Sequence, residues 1–567
     1  MSGTEFQSMD LTSLKAVVSE LRREILPSRF EKAQQPESNC LQIGLRTLKG
    51  LKWIEISWDV EVPRFVEISP PPKSGSSSTL AKQIQHGLNN LALVEIKQEG
   101  YERIVQLGLA NRPNEPLQKL LVIELMGKHS NIFLLDKNNK IITLGRQIRS
   151  HQSKLRPLST GDYYFDPPKL NGIPPNKNES FLDWKKRLTL VPISLKKAIQ
   201  QNYQGISPSL TMQLANERNE IAKEIINLNV NQISNEQFME IYSRWITWIQ
   251  DIEKESLFIK FEGPTDFKLW GSENSTNESK TGTSIKLGIY YRNHIIKRNI
   301  NHLRKSLEQC LNKLKVDEER DLEKQKVLLS KTYEHKSIQK EADKIFCLRS
   351  PNKQQIEEAQ KLYRKSKKLK RSGSIIEDRI YHHQQKLEIV DASINFLNDS
   401  LKNNLGNESD MLNRLIDLRN ELDIYLIKTR NNKKKSKTLK ESISQPLEVK
   451  TSDGSLVLIG QNHRQNELIS IKQVRKGDIW FHAQECSGSH IILKASLQTA
   501  TDKDFELAAD LAALFSKAKG NKIVAVVMAP AHKLQRIQSA VPGTVRHQNG
   551  EVVWGKPERA SKHLSKN

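Results

Sequence analysis

Two hydrophobic seams with a seven-residue repeat constrain the fold of this chain more than any other feature. Apolar residues recur in steps of four and three along two stretches, the pattern of helices that pack side by side as a coiled coil. The first seam comprises Ile296, Ile300, Leu303, Leu307, Cys310 and Leu314, and the second Ile376, Ile380, His383, Leu387, Val390, Ile394, Leu397 and Leu401. The pattern predicts two long helices.

About sixty mostly charged residues separate the seams within one chain. This spacing favours an antiparallel intramolecular hairpin with its tip near Ser350, Pro351 and Asn352. A parallel coiled coil between two chains is the alternative. At a rise of about 1.5 Å per residue, an arm of about fifty residues extends about 75 Å, enough to bridge distant parts of a large assembly.

The charge balance indicates an anionic partner. The 567 residues include 89 Lys and Arg against 65 Asp and Glu, a formal net charge of +24. Nucleic acid rewards each neutralising cation through counterion release, whereas a membrane-binding protein would usually carry an amphipathic anchor as well. Solubility alone is the alternative, but excess charge of one sign costs self-repulsion. The composition therefore favours a nucleic-acid-binding protein.

Several classes of protein are disfavoured by missing patterns. We expect a cytoplasmic protein, because the sequence has no stretch resembling a signal peptide or a membrane span. The four cysteines form no CxxC pair, and no motif for nucleotide binding or hydrolysis occurs, so no cofactor is expected. His482, Cys486 and His490 are spaced four apart, but three ligands without a fourth make a poor zinc site, so no metal is expected either.

The N-terminal part alternates between helical and strand patterns. A helix is predicted over residues 11–25, and short strands over residues 41–46, 53–58, 104–109, 120–125 and 132–135. Further on, Gly205, Ser207 and Pro208 supply a turn, a helix cap and a first helical residue between two helical segments. This predicts a helix-hairpin-helix, whose backbone N–H groups could bind a phosphate, although a plain helical turn is the alternative.

A strongly basic segment lies in the second half of the predicted arm. Seven of eleven residues are cationic and none is acidic: Lys361, Arg364, Lys365, Lys367, Lys368, Lys370 and Arg371. A solvated helix face normally mixes Glu with Lys to gain pairs one turn apart, and this segment does not. We expect these residues to bind RNA.

A separate module is predicted at the C-terminal end, after a basic linker. From Gly460 onward the pattern predicts strand, strand, loop, strand, a helix over residues 505–519, a strand over residues 522–528, and short strands around Val545 and Val552. The fold class is therefore α+β multidomain: an N-terminal α+β domain with a helix-hairpin-helix insertion, a long antiparallel coiled-coil hairpin, and a C-terminal α+β module.

Two passages resemble a known family. The segment Leu-Val-Ile-Glu-Leu-Met-Gly-Lys-His-Ser-Asn-Ile-Phe-Leu-Leu-Asp at residues 121–136 is similar to the NFACT-N signature, and residues 478–483, 488–490 and 508–516 resemble the NFACT-R domain. The order of domains is that of the NFACT family, which includes the RqcH and NEMF proteins of ribosome-associated quality control. The predicted limits are residues 9–175 for NFACT-N, 176–255 for the helix-hairpin-helix region, 256–290 for a return segment of NFACT-N, 291–430 for the coiled-coil arm, 431–445 for the basic linker and 446–567 for NFACT-R.

The resemblance implies a function. Such a protein binds a stalled large ribosomal subunit, through its rRNA and stalk-base proteins, while the subunit still carries peptidyl-tRNA on the nascent chain. It recruits charged tRNA, mainly alanyl-tRNA, and supports template-free addition of a C-terminal alanine tail that marks the peptide for degradation. The ribosome performs the peptidyl transfer, so the resemblance implies an elongation-like factor with no catalytic residues, and not an enzyme.

The resemblance also implies tRNA-binding residues in the first domain. The family's Asp-Arg pair corresponds to Glu102 and Arg103, and its Glu-Ile-Met element to Glu124, Leu125 and Met126. Glu102 moves the carboxylate outward by one methylene. The carboxylate can still position the Arg103 guanidinium for contact with a phosphate or a base edge, but with an altered reach. A structural salt bridge or core packing is the alternative for both elements.

In the last domain, the residues expected to contact RNA or the ribosome are Asn462, Arg464, Trp480, His482, Ser489 and His490. The family's Gly-Arg-Asn opening is Gly460-Gln461-Asn462 here, which loses one cation, although Arg464 is near. Aromatic and histidine side chains stack on unpaired bases. Burial in the core is an equally good interpretation for Trp480 and Phe481.

Two other functions are open. The older family name suggests a fibronectin-binding adhesin, which the charge balance and the lack of a signal-peptide pattern disfavour. A helix-hairpin-helix after an α+β domain also resembles DNA glycosylases, but such enzymes typically need a nucleophilic amine or proline at the N-terminus, and Met1-Ser2-Gly3 supplies no obvious one.

Overall fold

The computed structural model describes residues 6–75, 78–149, 156–168, 171–261, 266–271, 282–350, 352–402, 408–423, 445–537, 543–548 and 550–564. The chain divides into two compact units, Met1–Ile295 and Ile296–Asn567. The finer domain limits given above stay predictions. Within the described ranges, no helix combines the length and the apolar character needed to cross a membrane.

The first unit is built on an antiparallel sheet, for which the described residues show nine strands in the order β4-β3-β2-β1-β5-β6-β7-β8-β9. Its elements up to the last of these strands are α1 (Leu11–Ile25), β1 (Ser28–Glu37), β2 (Cys40–Thr47), β3 (Gly50–Ser57), β4 (Arg64–Ile68), α2 (Thr79–Leu88), β5 (Ala92–Lys97), β6 (Ile104–Ala110), β7 (Lys119–Glu124), β8 (Asn131–Asp136) and β9 (Ile141–Leu144). Further along the unit are α3 (Phe181–Thr189), α4 (Leu195–Asn202), α5 (Pro208–Ala215), α6 (Asn219–Asn227), α7 (Asn235–Glu253) and the short hairpin of β10 (Lys260–Phe261) and β11 (Phe267–Lys268).

Local sequence determines where α1 begins and which face it buries. The Asp10 carboxylate accepts a hydrogen bond from the backbone N–H of Ser13 at 2.9 Å and caps the helix. Leu14, Val17 and Leu21 repeat at helical spacing and are fully buried in the core of the unit. The predicted helix over residues 11–25 is confirmed, as are the five predicted strands, which are β2, β3, β6, β7 and β8.

The helical part of the first unit contains the predicted turn. Ser207 caps α5 by accepting a hydrogen bond from the N–H of Leu210 at 2.9 Å, and Pro208 is the first helical residue. Gly205 has φ +74°, a conformation that a residue with a side chain rarely adopts. The predicted helix, turn and helix are therefore confirmed as α4, the turn at residues 203–207, and α5.

The arm consists of α8 (Thr283–Thr332), α9 (His335–Phe346), α10 (Lys353–Lys402) and α11 (Glu408–Leu422). Helices α8 and α10 have 50 residues each, so each extends about 75 Å. The chain reverses direction between α9 and α10 near the predicted tip, where Ser350 and Asn352 are described and Pro351 lies outside the described residues.

The two predicted seams pack against each other in antiparallel fashion. Ile300, Leu303 and Leu307 of α8 share one buried cluster with Val390 and Leu397 of α10. Ion pairs link the same two helices: Lys315 Nζ lies 2.9 Å from Asp391, and Glu318 lies 2.6 Å from His383 Nδ1. The predicted intramolecular hairpin is confirmed. Helix α11 was not predicted, and it adds Leu415, Leu418 and Leu422 to the seam.

The C-terminal module contains β12 (Leu447–Lys450), β13 (Leu456–Ile459), α12 (His463–Glu467), β14 (Ile479–Ala483), β15 (Ile491–Leu493), α13 (Asp502–Leu514), β16 (Val524–Pro530), β17 (Gln535–Arg536), β18 (Val545–Arg546), β19 (Glu551–Gly555) and α14 (Pro557–Leu564). Among the described residues, six strands form an antiparallel sheet in the order β12-β13-β15-β14-β16-β19. The α+β class of this module is confirmed.

Two details of the module differ from the prediction. The first strand expected after Gly460 is wrong, because residues 463–472 form α12 followed by one π-helical turn. The Asn462 carboxamide accepts a hydrogen bond from the N–H of Gln465 at 2.8 Å, and this cap starts a helix at the place of the predicted strand. Helix α13 ends at Leu514 instead of residue 519. Residues 431–444 of the basic linker lie outside the described residues.

Candidate RNA interface

The strand register of the first sheet places the two elements expected to bind tRNA next to each other. Ile104 at the start of β6 pairs with Glu124 at the end of β7. One residue beyond this pair, the N–H of Leu125 donates to the carbonyl of Arg103 at 2.9 Å. The two elements, Glu102-Arg103 and Glu124-Leu125-Met126, therefore lie side by side where β6 begins and β7 ends, although about twenty residues separate them in sequence. We call this place the edge.

Arg103 is held at this edge by neighbouring backbone. Its Nη1 donates to the carbonyl of Met9 at 3.1 Å. Burial lowers the pKa of the Arg103 guanidinium, and the carboxylates of Asp10 and Glu102 oppose that effect. A half-buried arginine near two carboxylates can make charge-assisted hydrogen bonds.

The helix-hairpin-helix turn packs against the same edge. The Ser207 hydroxyl donates to the Asp10 carboxylate at 2.7 Å. A Cβ at Gly205 would lie 2.5 Å from the side chain of Leu11 and 3.2 Å from Cβ of Tyr101, the residue before Glu102. The structure thus combines three elements in one site: the start of α1, the Glu102-Arg103 loop and the turn before α5. Asp10 and Ser207 were not among the predicted site residues, although both fit helix-cap patterns.

Glu124 forms a buried cluster with two residues from a later segment. Its carboxylate accepts hydrogen bonds from Arg156 at 2.9 and 2.7 Å and from the Tyr164 hydroxyl at 2.8 Å. Burial lowers the pKa of Arg156, but pairing with Glu124 outweighs it and the pKa is raised. Burial, followed by the Glu124 charge, raises the pKa of Tyr164. This bidentate pair has the strongest geometry available to a protein ion pair.

The burial of this element favours the structural interpretation of Glu124. The Glu124 side chain is 1% exposed, and Leu125 is fully buried. Neither side chain can contact RNA directly without a local rearrangement, so they support the edge from below. Met126 and Arg103 are half-buried and lie closer to the surface. The tRNA contacts stay a prediction.

The basic segment of α10 presents its charge to solvent. All seven cationic side chains are exposed. None of them forms an ion pair with another residue that the structure describes. Five of them, Lys361, Arg364, Lys365, Lys368 and Arg371, recur at helical spacing and share one side of α10, which we call the basic face. The opposite side packs on α9, where Ser366 Oγ donates to the carbonyl of His335 at 2.9 Å.

Three of the six predicted RNA-binding residues of the C-terminal module are buried. Trp480, His490 and Asn462 are 3%, 5% and 8% exposed. Trp480 packs with Leu458 and Ile492 in a buried cluster, so the alternative of a core tryptophan is the one that the structure favours. The expectation that Trp480 stacks on RNA at the surface is therefore wrong, because residues 468–472 cover this side of the sheet.

Two buried histidine rings of the module, those of His482 and His490, are neutral at physiological pH. Burial lowers the pKa of His482 to about 4 and that of His490 well below its usual range. The ring of His482 stacks on Trp480 with centroids 5.6 Å apart, and His490 Nδ1 lies 2.6 Å from the Ser470 hydroxyl. The half-buried residues of the predicted set are Arg464, His482 and Ser489. Direct RNA contact stays a prediction for them.

Comparison with known proteins agrees with this arrangement. Residues 10–350 match the family model for NFACT N-terminal and middle domains, and residues 446–548 match that for the NFACT protein RNA binding domain. The chain is 25% identical to Rqc2 homolog RqcH of Streptococcus suis (strain 05ZYH33), covering 96% of this chain and 97% of that protein. It is 23% identical to Rqc2 homolog RqcH of Bacillus subtilis (strain 168), covering 95% and 96%.

Two solved structures also match. The N-terminal part of the fibronectin/fibrinogen-binding protein from Streptococcus suis is 21% identical and covers 50% of this chain and 100% of that one, with a TM-score of 0.38. The C-terminal part of the same protein is 24% identical and covers 48% and 98%, with a TM-score of 0.37.

The fold and the matched domains define an RNA-binding protein with two α+β parts and a long helical arm. The family model covers more than half of the chain. The chain belongs to the NFACT family of ribosome quality control proteins, and its similarity to RqcH proteins extends over nearly its whole length.

Proposed function

We propose that this protein binds large ribosomal subunits that carry peptidyl-tRNA after a stall, recruits alanyl-tRNA, and promotes template-free addition of a C-terminal alanine tail. The tail marks the nascent chain for degradation. The ribosome forms each peptide bond, so the protein acts as a positioning factor without a covalent active site. Full-length similarity to RqcH proteins and the RNA-binding domain match support this proposal.

The basic face of α10 is the observation that carries the proposal. Each exposed Lys or Arg that neutralises a phosphate releases a counterion, and this release supplies much of the affinity for nucleic acid. Since no carboxylate among the described residues pairs with these side chains, their charge is available to a partner. The basic face begins about 12 Å from the start of α10, close to the tip of the arm, where a partner as large as ribosomal RNA can reach it.

The edge around Arg103 is the proposed tRNA contact. Arg103 would bind a phosphate or base edge, with Asp10 and Glu102 orienting its guanidinium. The turn before α5 places the positive end of a helix near the same arginine. Glu102 keeps the carboxylate of the family's Asp-Arg pair at a reach longer by one methylene, and we propose that it still supports tailing.

The test is to purify the protein from growing cells, sequence the bound RNA, and follow the protein through a sucrose gradient. We expect co-sedimentation with free large subunits and enrichment of tRNA of one amino-acid identity. Large subunits without tRNA would keep the ribosomal partner and refute the tailing mechanism. Absence of RNA would refute the whole proposal and favour the adhesin.

A pair of charge-matched variants makes the test specific to the basic face. The first changes the five cations of the basic face to Gln. The control changes five exposed lysines of α8 and α9 to Gln, namely Lys326, Lys331, Lys336, Lys340 and Lys344. Both variants lose five positive charges from the same arm. We expect only the first to lose large-subunit binding, and equal losses would show that total charge matters instead of this face.

A further inference from the structure

A recess in the first unit contains two cations that take no part in the RNA interface described above. It lies between α1, the loop after β5 and the end of α7. Its polar lining consists of Lys15, Arg22, Gln98 and Glu255, and its volume is about 140 Å³. One water takes about 30 Å³ in the liquid, and pockets for whole ligands span about 300–1,000 Å³. The recess therefore has room for a small group of a few heavy atoms.

Glu255 does not neutralise both cations. One of its carboxylate oxygens accepts a hydrogen bond from Arg22 Nη1 at 3.1 Å, and the other accepts one from the Ser19 hydroxyl at 2.7 Å. The Glu255 side chain is also 48% exposed, so solvent screens its attraction for more distant charges. Two cations and one carboxylate leave a surplus of one positive charge in the recess.

The Lys15 amine carries this surplus charge. Lys15 is half-buried on α1, and among the described residues its Nζ has no hydrogen-bond acceptor and no ion-pair partner. The Tyr101 ring lies beside it, with its centroid 5.9 Å from Nζ, at the outer limit of a cation–π contact. Burial lowers the pKa of Lys15, the charge of Arg22 lowers it further, and Glu255 opposes both effects. An anion beside Lys15 would remove the cost of holding two like charges together.

The donors in the recess suit a phosphate group. The Lys15 ammonium has three N–H donors, and the Arg22 guanidinium has five, of which the structure directs one to Glu255 and one to the carbonyl of Ile96. Lysine and arginine are the side chains that most often bind phosphate oxygens, arginine by its planar fork and lysine as a point charge. We propose that this recess binds a single phosphate group through Lys15 and Arg22. The volume leaves the rest of a nucleotide outside.

The position of the recess favours a tRNA backbone as the source of the phosphate. Gln98 lies in its wall and donates from Nε2 to the carbonyl of Glu102 at 2.7 Å. The recess and the edge therefore adjoin, and a polynucleotide held at Arg103 can place a neighbouring phosphate against Lys15. To this extent the inference rests on the proposed function. A free phosphate ester is the other source of the same chemistry.

The first test measures how fast the Lys15 amine is acetylated. The full chain is treated with a limiting amount of the N-hydroxysuccinimide ester of acetic acid, and the acetylated fraction of each lysine is read by peptide mass spectrometry. Inorganic phosphate and deacylated tRNA are added in separate arms, against chloride at equal ionic strength. An anion that pairs with the amine raises its pKa, so we expect acetylation of Lys15 to slow about threefold in both arms. Lys49, an exposed lysine between β2 and β3, should be unaffected by phosphate.

The two arms separate the sources of the phosphate. Protection of Lys15 by tRNA supports the RNA backbone as the source, with or without protection by inorganic phosphate. Protection by inorganic phosphate alone would sustain the recess and refute tRNA as its partner. Protection in neither arm, or equal protection of Lys49 by phosphate, would overturn the inference.

A pair of variants tests the contribution of Lys15 to tRNA affinity. Lys15→Met keeps the length of the side chain and removes its charge. We expect it to weaken tRNA binding about tenfold and to lower the slope of log affinity against log salt by about 1. Arg23→Met removes one charge from an exposed position of the same helix and should change neither quantity. Equal losses in the two variants would overturn the inference, because total charge would then explain them.

This binding assay needs no ribosome, so it fails independently of the proposed function. A loss confined to Lys15→Met, in a chain that does not associate with large subunits, would sustain the phosphate recess and refute the proposed function. Alanine tailing by a Lys15→Met chain with undiminished tRNA affinity would do the reverse. Thermal unfolding of both variants verifies that each is folded.

Discussion

Glu124→Gln isolates the charge of the buried carboxylate beneath the proposed tRNA edge. The substitution keeps the shape of the side chain and one carbonyl acceptor but leaves the Arg156 guanidinium, 10% exposed, without a counter-charge. Removal of one partner from a buried ion pair typically costs about 3–5 kcal/mol. Because Gln still accepts one hydrogen bond, we expect the lower end, about 3 kcal/mol. In a unit of 295 residues that corresponds to a fall of about 6 °C in the midpoint of thermal unfolding.

The matched control is Glu31→Gln. Glu31 also pairs with an arginine through two hydrogen bonds, to Arg46 at 2.7 and 3.1 Å, but the two side chains are 27% and 51% exposed. Exposed pairs contribute up to about 1 kcal/mol, so the midpoint should fall by about 2 °C at most. The two variants share the chemical change and the loss of a bidentate pair with arginine, and they differ in burial and in the additional hydrogen bond from Tyr164 to Glu124.

Differential scanning calorimetry of the full chain provides the measurement, with Arg156→Met added as a third variant. The double variant Glu124→Gln/Arg156→Met should be more stable than the sum of the single changes predicts, because no orphaned charge remains. Equal midpoints for Glu124→Gln and Glu31→Gln would refute the assignment of Glu124 as a buried structural anchor.

Three further results are expected. Ser207→Ala should lower the free energy of unfolding by about 1–2 kcal/mol in urea titrations, because α5 loses its cap and Asp10 loses a hydrogen bond; a change below about 0.5 kcal/mol would contradict the contact. Burial raises the pKa of Glu421 in α11 to about 8. Between pH 5 and 8 the unfolded chain therefore releases a proton that the folded chain keeps, so the free energy of unfolding falls as pH rises. Glu421→Gln should therefore gain stability relative to the parent by about 1.4 kcal/mol per pH unit across that window, and parallel pH curves would exclude the shift. Changing the five cations of the basic face to Gln should lower the slope of log affinity against log salt by about 4, whereas an unchanged slope would show that they do not contact phosphates.

The sequence predicted the arm well because its determinants are local and repeated. Heptad spacing is sufficient to identify α8 and α10, and their separation within one chain is sufficient to predict the hairpin. Helix α11 is only 15 residues long, and its pattern alone does not show that it joins the seam. Strand β1 was missed because it is largely polar and contains Pro36 near its end.

The parts of the sites that could not be predicted depend on burial and on distant partners. Trp480 and Glu124 occur in motifs suited to RNA contact, but the burial of a side chain depends on what packs over it. For Glu124 the covering residues, Arg156 and Tyr164, come from a segment more than thirty residues away.

Reconstituted tailing tests the central claim most directly. Purified large subunits that carry a peptidyl-tRNA would be mixed with this protein and alanyl-tRNA, without messenger RNA or small subunits, and the released peptide analysed by mass spectrometry. We expect a ladder of peptides that differ by single alanine residues and that requires the protein. Subunits that bind the protein but release peptide of unchanged mass would contradict the proposed function.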